Sequence, residues 1–171
     1  MQCRFLKFCK IMSEDVKREM LRHTLAILAY RGGKAIKDAP ESFATMKASE
    51  TTRTPVEILA HIGDLMDWAL WMAREKPVWK DPEPLAWEQE TARFFDCLQK
   101  LDEFLASDEP LAQTCEKIFQ GPIADALTHV GQINLLRRMF DTPVRGENYF
   151  RAEIEIGRVG QKQSANRVEF D

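Results

Sequence analysis

Apolar residues recur every three or four positions in four stretches of the chain, the period of a helix with one buried face. The first stretch reads from about Ser13 to Lys37, with Ser13 as N-cap and Glu14 and Asp15 facing the positive end of the helix dipole. Its stripe is Val16, Met20, Leu21, Ile27 and Leu28; Gly32 and Gly33 weaken the last turns and Pro40 closes them. The second opens on Thr54-Pro55-Val56-Glu57, a capping box with proline at the first helical position, and runs to about Glu75. Ile58, His61, Leu65, Trp68 and Met72 form its seam, while Glu57, Asp64, Asp67 and Arg74 take the opposite face, so the spacing points His61 inward.

The third stretch begins near Leu85 and has Trp87, Phe94, Leu98, Leu101 and Leu105 as its seam, with Glu88, Glu90, Asp96, Lys100 and Glu103 left wet. A short helical piece carrying Leu111, Cys115 and Ile118 follows, and Gly121-Pro122 is expected to stop it and start the fourth helix. That helix runs from about Pro122 to Phe140 with Asp125, His129, Gln132, Leu136 and Met139 on one seam, bordered by Ile123, Ala126, Leu127, Val130 and Ile133. Polar groups are therefore expected in the middle of an apolar stripe.

The segment from Lys76 to Pro84 holds Pro77, Pro82 and Pro84 and reads as a stiff connection. Helical period disappears after Pro143. There Tyr149, Phe150, Ile154 and Ile156 are expected to pack as an extended arm, with the chain fraying beyond Gly160. Residues 1–12 read as a disordered extension. The expected class is all-α: a four-helix bundle over 13–144 with an extended C-terminal arm over 145–171.

Composition narrows the function. A chain of 171 residues can bury one core without disulfides or metal. A formal charge of -3 leaves no excess of Lys and Arg to neutralise phosphates, which argues against nucleic-acid binding. No stretch approaches the ~20 apolar residues that span a bilayer. Cys3, Cys9, Cys97 and Cys115 form no CxxC pair, and the mixed charged and aromatic start lacks the apolar run of an export signal, so the expected compartment is the cytoplasm.

The chemistry rests on three side chains. His61 is seven residues into its helix and His129 eight into its own, which at 1.5 Å per residue places both ~10 Å from the helix N-termini. They meet if the two helices run the same way. Asp125 precedes His129 by four residues, a spacing that brings a carboxylate and an imidazole to one ion. Three protein ligands leave positions open for water or substrate, and mixed nitrogen and oxygen donors suit Zn, Ni, Fe or Mn. Against this stand hydrogen-bonded core histidines and an Asp125 that merely complements the helix dipole. Gln132 either orients a ligand or bonds a neighbouring helix.

His129-Val130-Gly131-Gln132-Ile133 followed by Leu135, Leu136 and Arg137, together with Ile58-Leu59-Ala60-His61-Ile62 and Trp68, resembles the motifs of the DinB/YfiT-like proteins. The resemblance spans roughly Ser13 to Val144. It implies a four-helix bundle holding a divalent metal with one histidine from helix two and two from helix four. Here His61 and His129 match, and Asp125 stands where that family usually has a histidine. The resemblance implies a metal-dependent enzyme acting on a small molecule: a transferase or isomerase using a low-molecular-weight thiol, or a hydrolase. The competing class is a stress-associated binding protein with a vestigial site.

Three further residues are pocket candidates: His23 as a substitute ligand or boundary residue, Trp68, and Tyr149 reaching the mouth of the bundle with Arg145, Asn148 and Arg151. Arg137 and Arg138 complement the dipole of the last helix or form an anion site. Trp71 on an outer face points to cover by the arm or to a homodimer contact.

Overall fold

The computed structural model describes residues 2–75, 78–80 and 82–170, with side chains from Glu14 onward. Helix accounts for 58% of the chain, in four long helices, and the only sheet among the described residues has two strands. The elements are α1 (Gln2–Ile36), a 3-10 turn (Glu41–Phe43), α2 (Pro55–Ala73), α3 (Trp87–Ala106), α4 (Cys115–Ile118), a π-helical turn (Phe119–Ile123), α5 (Ala124–Met139), β1 (Gly146–Glu147) and β2 (Glu169–Phe170). None of the described helices is long and apolar enough to cross a membrane.

The helix boundaries follow local chemistry where capping decides them. Thr54 caps α2: its hydroxyl accepts from the Glu57 N–H while Glu57 Oε2 accepts from the Thr54 N–H at 2.6 Å. These bonds from Thr54 hold the Glu57 carboxyl below its ordinary pKa. That contribution is complete above the pKa of an unfolded glutamate and lost as pH falls through the folded value. Thr54→Ala is expected to lower stability by about 1 kcal/mol, read by urea unfolding at neutral pH. The loss should shrink in acid, where the wild-type box has already opened.

α1 departs from expectation at its start. The backbone is helical from Gln2, so Ser13 lies within the helix and not at its N-cap position, and the extension expected over residues 2–12 is helical; Met1 lies outside the described residues. Its expected stripe is also rotated. Val16 and Met20 are exposed, while Leu21, Leu25, Leu28 and Ala29 are buried. Arg18 decides the rotation, because its guanidinium turns inward to the Leu105, Ser107 and Glu109 carbonyls at and just beyond the end of α3. Gly32 lies inside the helix, where a Cβ would sit 2.6 Å from Phe94 Cζ, so its absence lets the α3 ring pack against the α1 backbone.

The four long helices close into a ring in the order α1, α3, α2, α5, each touching two neighbours. Contacts fix their directions. Arg22 meets Asp102 and Gly32 meets Phe94, so α1 and α3 are antiparallel. Asp64 meets Arg93 and Arg74 lies on Phe104, so α2 and α3 are parallel. Trp68 lies against Gly121, and Ala73 O accepts from Ala112 N at 2.9 Å, so α2 and α5 are antiparallel. Parallel neighbours α2 and α3 require a crossover the length of the bundle. Residues 74–86, reaching up to ~3.3 Å each when extended, can return along a 19-residue helix of ~1.5 Å rise per residue, and proline favours that extension. Pro77, one of the three expected prolines, lies outside the described residues.

The chain does not break at Gly121-Pro122. A π-helical turn joins α4 to α5 with helical dihedrals on both sides, Ile118 at φ -63 and Ala124 at φ -63. The wider turn makes room for the Pro122 ring, which has no N–H to donate and would collide with a carbonyl in a regular helix. One inserted residue also rotates everything after it by ~100°.

The arm is anchored by charge more than by grease. Glu147, buried, accepts from Lys34 Nζ at 2.7 Å and from the Tyr30 hydroxyl, and Lys34 also pairs with Glu169 at 2.7 Å. Beyond Gly160 the chain returns to form β2 antiparallel to β1, pairing Gly146 with Phe170, so the expected fraying is not what the fold shows. Phe150 is 97% exposed and Ile156 half-exposed, whereas Val159, unremarked in the pattern, is fully buried.

Candidate metal centre

His61, Asp125 and His129 converge at the seam between α2 and α5. Asp125 faces both imidazoles with one oxygen each: Oδ2 is 3.7 Å from His61 Nε2 and Oδ1 is 3.5 Å from His129 Nε2. The two rings stand nearly perpendicular with centroids 4.8 Å apart. Among the described residues this is the group of histidine, cysteine and acidic side chains close enough to share an ion, its donor atoms lying within 4.8 Å of one another.

The convergence arises differently from the sequence expectation. α2 and α5 run antiparallel, so equal depth from the N-termini is not what aligns the histidines. The π-helical turn just upstream sets the rotation of Asp125 and His129 about the helix axis. The polar seam also sits at the edge of the buried stripe and not in its middle. Ile123, Ala126, Val130, Ile133 and Arg137 form the core face of the helix. Asp125 is 49% exposed, while the His61 and His129 side chains keep 15% and 11%. The site is therefore a notch in the bundle wall that opens to solvent past the carboxylate.

The helix-dipole alternative for Asp125 loses its basis, because the helical path continues upstream and leaves no free N-terminus there. Thr128 braces the residue, donating to Asp125 O at 2.7 Å.

Gln132 defines the chemistry of His129. Its Oε1 lies 3.0 Å from His129 Nδ1, where an N–H satisfies it. With a proton on Nδ1 alone, the ring presents its Nε2 lone pair toward a carboxylate oxygen that offers lone pairs only. In that tautomer two acceptors face each other across 3.5 Å, a geometry that a cation completes; with the proton on Nε2 instead, the ring donates toward the carboxylate. Donors bound ~2.1 Å from one ion at ordinary angles sit ~3.0–3.4 Å apart; the carboxylate–imidazole pairs at 3.5 and 3.7 Å are near this, and the spread of the whole group, 4.8 Å, has to close by side-chain rotation. The donor set fits a divalent metal.

Aromatic rings roof one side. Trp79, on the crossover, meets the His61 ring at 5.6 Å and the Trp68 ring at 5.7 Å. On the other side His61 borders a cleft of about 230 Å³ shared with Arg53, Glu57, Asp64 and Pro82. That volume is below the ~300 Å³ at which drug-sized pockets begin.

Other candidates lie elsewhere. His23 is half-buried on α1 and does not join the group. Tyr149 stacks edge-on against Tyr30 and beneath Arg31, which places it on α1 and not at the mouth of the site. Arg137 is buried, donating to Ala35 O, Lys37 O and Thr142 O; it ties the ends of α1 and α5 together and is no anion site. Trp71 is 42% exposed beside Val78 and Lys80 of the crossover.

Asp64 and Glu90, both expected on wet faces, are buried. Arg93 joins them, with Nη1 2.7 Å from Asp64 Oδ1, Nε 2.7 Å from Glu90 Oε2 and Nη2 2.7 Å from Ala60 O. Gly63 makes this network fit, since a Cβ there would lie 2.9 Å from Arg93 Cζ. The signal available in the sequence was a glycine inside a strong helical pattern.

Cys97 and Cys115 are free and buried; the side chains of Cys3 and Cys9 lie outside the described residues. Burial pushes the Cys97 thiol well above its ordinary pKa, and Asp67, 3.3 Å away, reinforces the shift. The Cys97 peptide is accordingly expected to stay unmodified by iodoacetamide at pH ~8, near the ordinary thiol pKa, and to label after denaturation, as read by mass spectrometry. Labelling of the native protein at Cys97 would contradict that placement.

No family model, no curated protein and no solved structure matches this chain.

Proposed function

We propose that the chain is a metal-dependent enzyme of the DinB-like class that uses a low-molecular-weight thiol to attack or isomerise a small electrophile. The observation that carries the reading is the convergence of His61, Asp125 and His129 at one seam, with His129 Nδ1 3.0 Å from Gln132 Oε1. Zn, Ni, Fe or Mn fits these donors. When bound, the ion supplies Lewis acidity that favours the thiolate form of a thiol, or the hydroxide form of water, beside it.

The protein's own groups do the rest. Gln132 holds the His129 tautomer, and Thr128 holds the Asp125 backbone. Asp125 would offset part of a bound ion's charge, and its half-exposed carboxylate leaves the group open to an arriving thiol. Trp79 and Trp68 exclude water from the crossover side. Among the described residues neither Cys97 nor Cys115 joins the cluster, and the reading takes the reacting sulfur from a small thiol.

The test is turnover of a chlorodinitrobenzene electrophile by the metal-loaded full chain, with a panel of small thiols. In that reaction the thiol loses its proton, an S–C bond forms and chloride leaves. Metal- and thiol-dependent product formation, lost in His61→Ala, is the expected result. Turnover that persists without any thiol would favour the hydrolase reading, tested in parallel with an ester substrate. A second reading, a vestigial site in a non-catalytic binding protein, draws on the exposure of Asp125. It predicts neither stoichiometric metal nor turnover.

A further inference from the structure

The outer side of α5 lacks the charge that an exposed helix face carries elsewhere in the chain. Between Asp125 and Arg138 its exposed positions are Thr128, Gly131, Gln132 and Leu135, none of them charged. α3 shows the contrast: Glu88, Asp96, Lys100 and Glu103 are exposed, and no large apolar residue of that helix is. α5 lies beside α1 and parallel to it, since Lys17 pairs with Glu116 at one end while Arg137 donates to Ala35 O and Lys37 O at the other. Large apolar side chains stand in water at both ends of this two-helix face. Val16, Met20 and Phe119 mark one end, and Leu135 and Met139 the other. Phe150, 97% exposed, follows Tyr149, which lies against Arg31 near the second end. Apolar residues gathered on one face, unlike scattered ones, mark an interaction surface.

Gly131 points the same way. A glycine inside a helix costs stability relative to alanine. Its backbone here is helical, and a Cβ would meet nothing within 4 Å, so the packing of the chain on itself gives no reason for the missing side chain. The close approach of a second helix gives one. Charge is divided between the two ends. Beyond the Lys17–Glu116 pair, the Val16 end carries Glu14, Asp15 and Glu19 against Lys117, and the Leu135 end carries Arg31 and Arg138 against Asp141.

We propose that the outer face of α1 and α5 pairs with the same face of a second copy of this chain, the two related by a twofold axis that runs their helices antiparallel. That operation sets the Val16, Met20 and Phe119 end of each copy against the Leu135 and Met139 end of the other, and the acidic end of each against the basic end. Such self-complementarity selects a second copy. A membrane surface is the poorer fit, because the acidic end would face anionic headgroups. The 16 residues of α5 span ~24 Å at 1.5 Å each. Two helices ~10 Å wide over that length present ~500 Å² per copy, or ~1,000 Å² for the pair, the lower limit of a specific interface. The dimer is therefore weak and separates on dilution. The metal centre lies on the α2 side of α5, so the pairing does not rest on the enzymatic reading.

Sedimentation velocity of the full chain, from low micromolar to several hundred micromolar, reads the association directly. The mass should rise with concentration from monomer towards dimer. Gly131→Arg and Leu135→Glu should each weaken pairing at least ~30-fold, the scale of losing a central contact. Helicity by circular dichroism should be unchanged in both, and the thermal midpoint of Gly131→Arg should not fall, because arginine is the better helix former. Leu135→Glu, at an exposed position, decides the matter if Gly131→Arg fails to fold. Glu19→Lys and Arg138→Glu should each weaken the dimer several-fold, and the double variant should recover most of the loss, which damage to the monomer fold would not do. A monomer at every concentration, a dimer indifferent to both Gly131→Arg and Leu135→Glu, or a double reversal no better than its single variants would overturn the proposal.

Discussion

Replacing His129 with alanine is expected to weaken binding of Zn, Ni or Mn ions by at least about 100-fold. Loss of a ligand should cost no less than the upper end of the 10–100-fold typical of losing the group that orients one. The substitution removes an Nε2 donor that Gln132 has already oriented and that stands 3.5 Å from Asp125. Gln132→Leu should cost about 10–100-fold, because it frees the imidazole ring and its tautomer while leaving every donor present. Asp125→Asn should cost less than His129→Ala, since the half-exposed carboxamide keeps an oxygen facing the cluster. Competition against a chromophoric chelator gives all three constants on the full chain. A wild-type protein that fails to take up one ion per chain under metal-replete conditions would dispose of the metal centre. The gradation among the three variants separates ligation from simple loss of fold, which circular dichroism checks directly.

The second large effect concerns stability. Arg93→Met should destabilise the fold by about 3–5 kcal/mol, because it strips the counter-ion from two buried carboxylates at once. The side chains of Asp64 and Glu90 are 4% and 1% exposed, and both accept charge-assisted bonds from the one guanidinium. Neutralising the carboxylates as well, in Asp64→Asn/Glu90→Gln/Arg93→Met, should recover a substantial part of that loss, since amides tolerate the dry site better than unpaired charges. Urea unfolding with matched slopes measures both. Were the triple variant as unstable as Arg93→Met alone, the cost would come from lost packing of the Arg93 stem and not from stranded charge.

The two networks differ in how much of them could be read beforehand. The His61, Asp125 and His129 group could be picked out because histidines are few, with 3 in 171 residues, two of them fall on apolar stripes, and one of these two follows an acid by four residues. The Arg93 network was invisible by the same method, because Asp64 and Glu90 sit among other charges and a period-based reading assigns all charges to the wet face. Arg18 and Glu147 evaded it for that reason as well. Val16 and Met20 failed in the opposite sense, as apolar residues placed outside by a cationic neighbour that found carbonyls to bond.

Local signals determined local outcomes. The Thr54-Pro55-Val56-Glu57 box starts α2 at the expected residue, the seam of α3 from Trp87 to Leu105 is buried throughout, and Thr114 caps the short α4. Each depends on bonds within one turn or on the amphipathic period of one helix, and both are written in adjacent residues. Direction, rotation and closure were decided by the tertiary structure. Antiparallel α2 and α5, the continuous helix through Pro122 and the return of the C-terminus to β1 all depend on groups far apart in the chain: Trp68 with Gly121, Ala73 with Ala112, Lys34 with Glu147 and Glu169. The physical reason is that an amphipathic pattern specifies that a face will be buried but not against which partner. That choice belongs to packing volumes and to the few buried charges that must find one another in the folded interior.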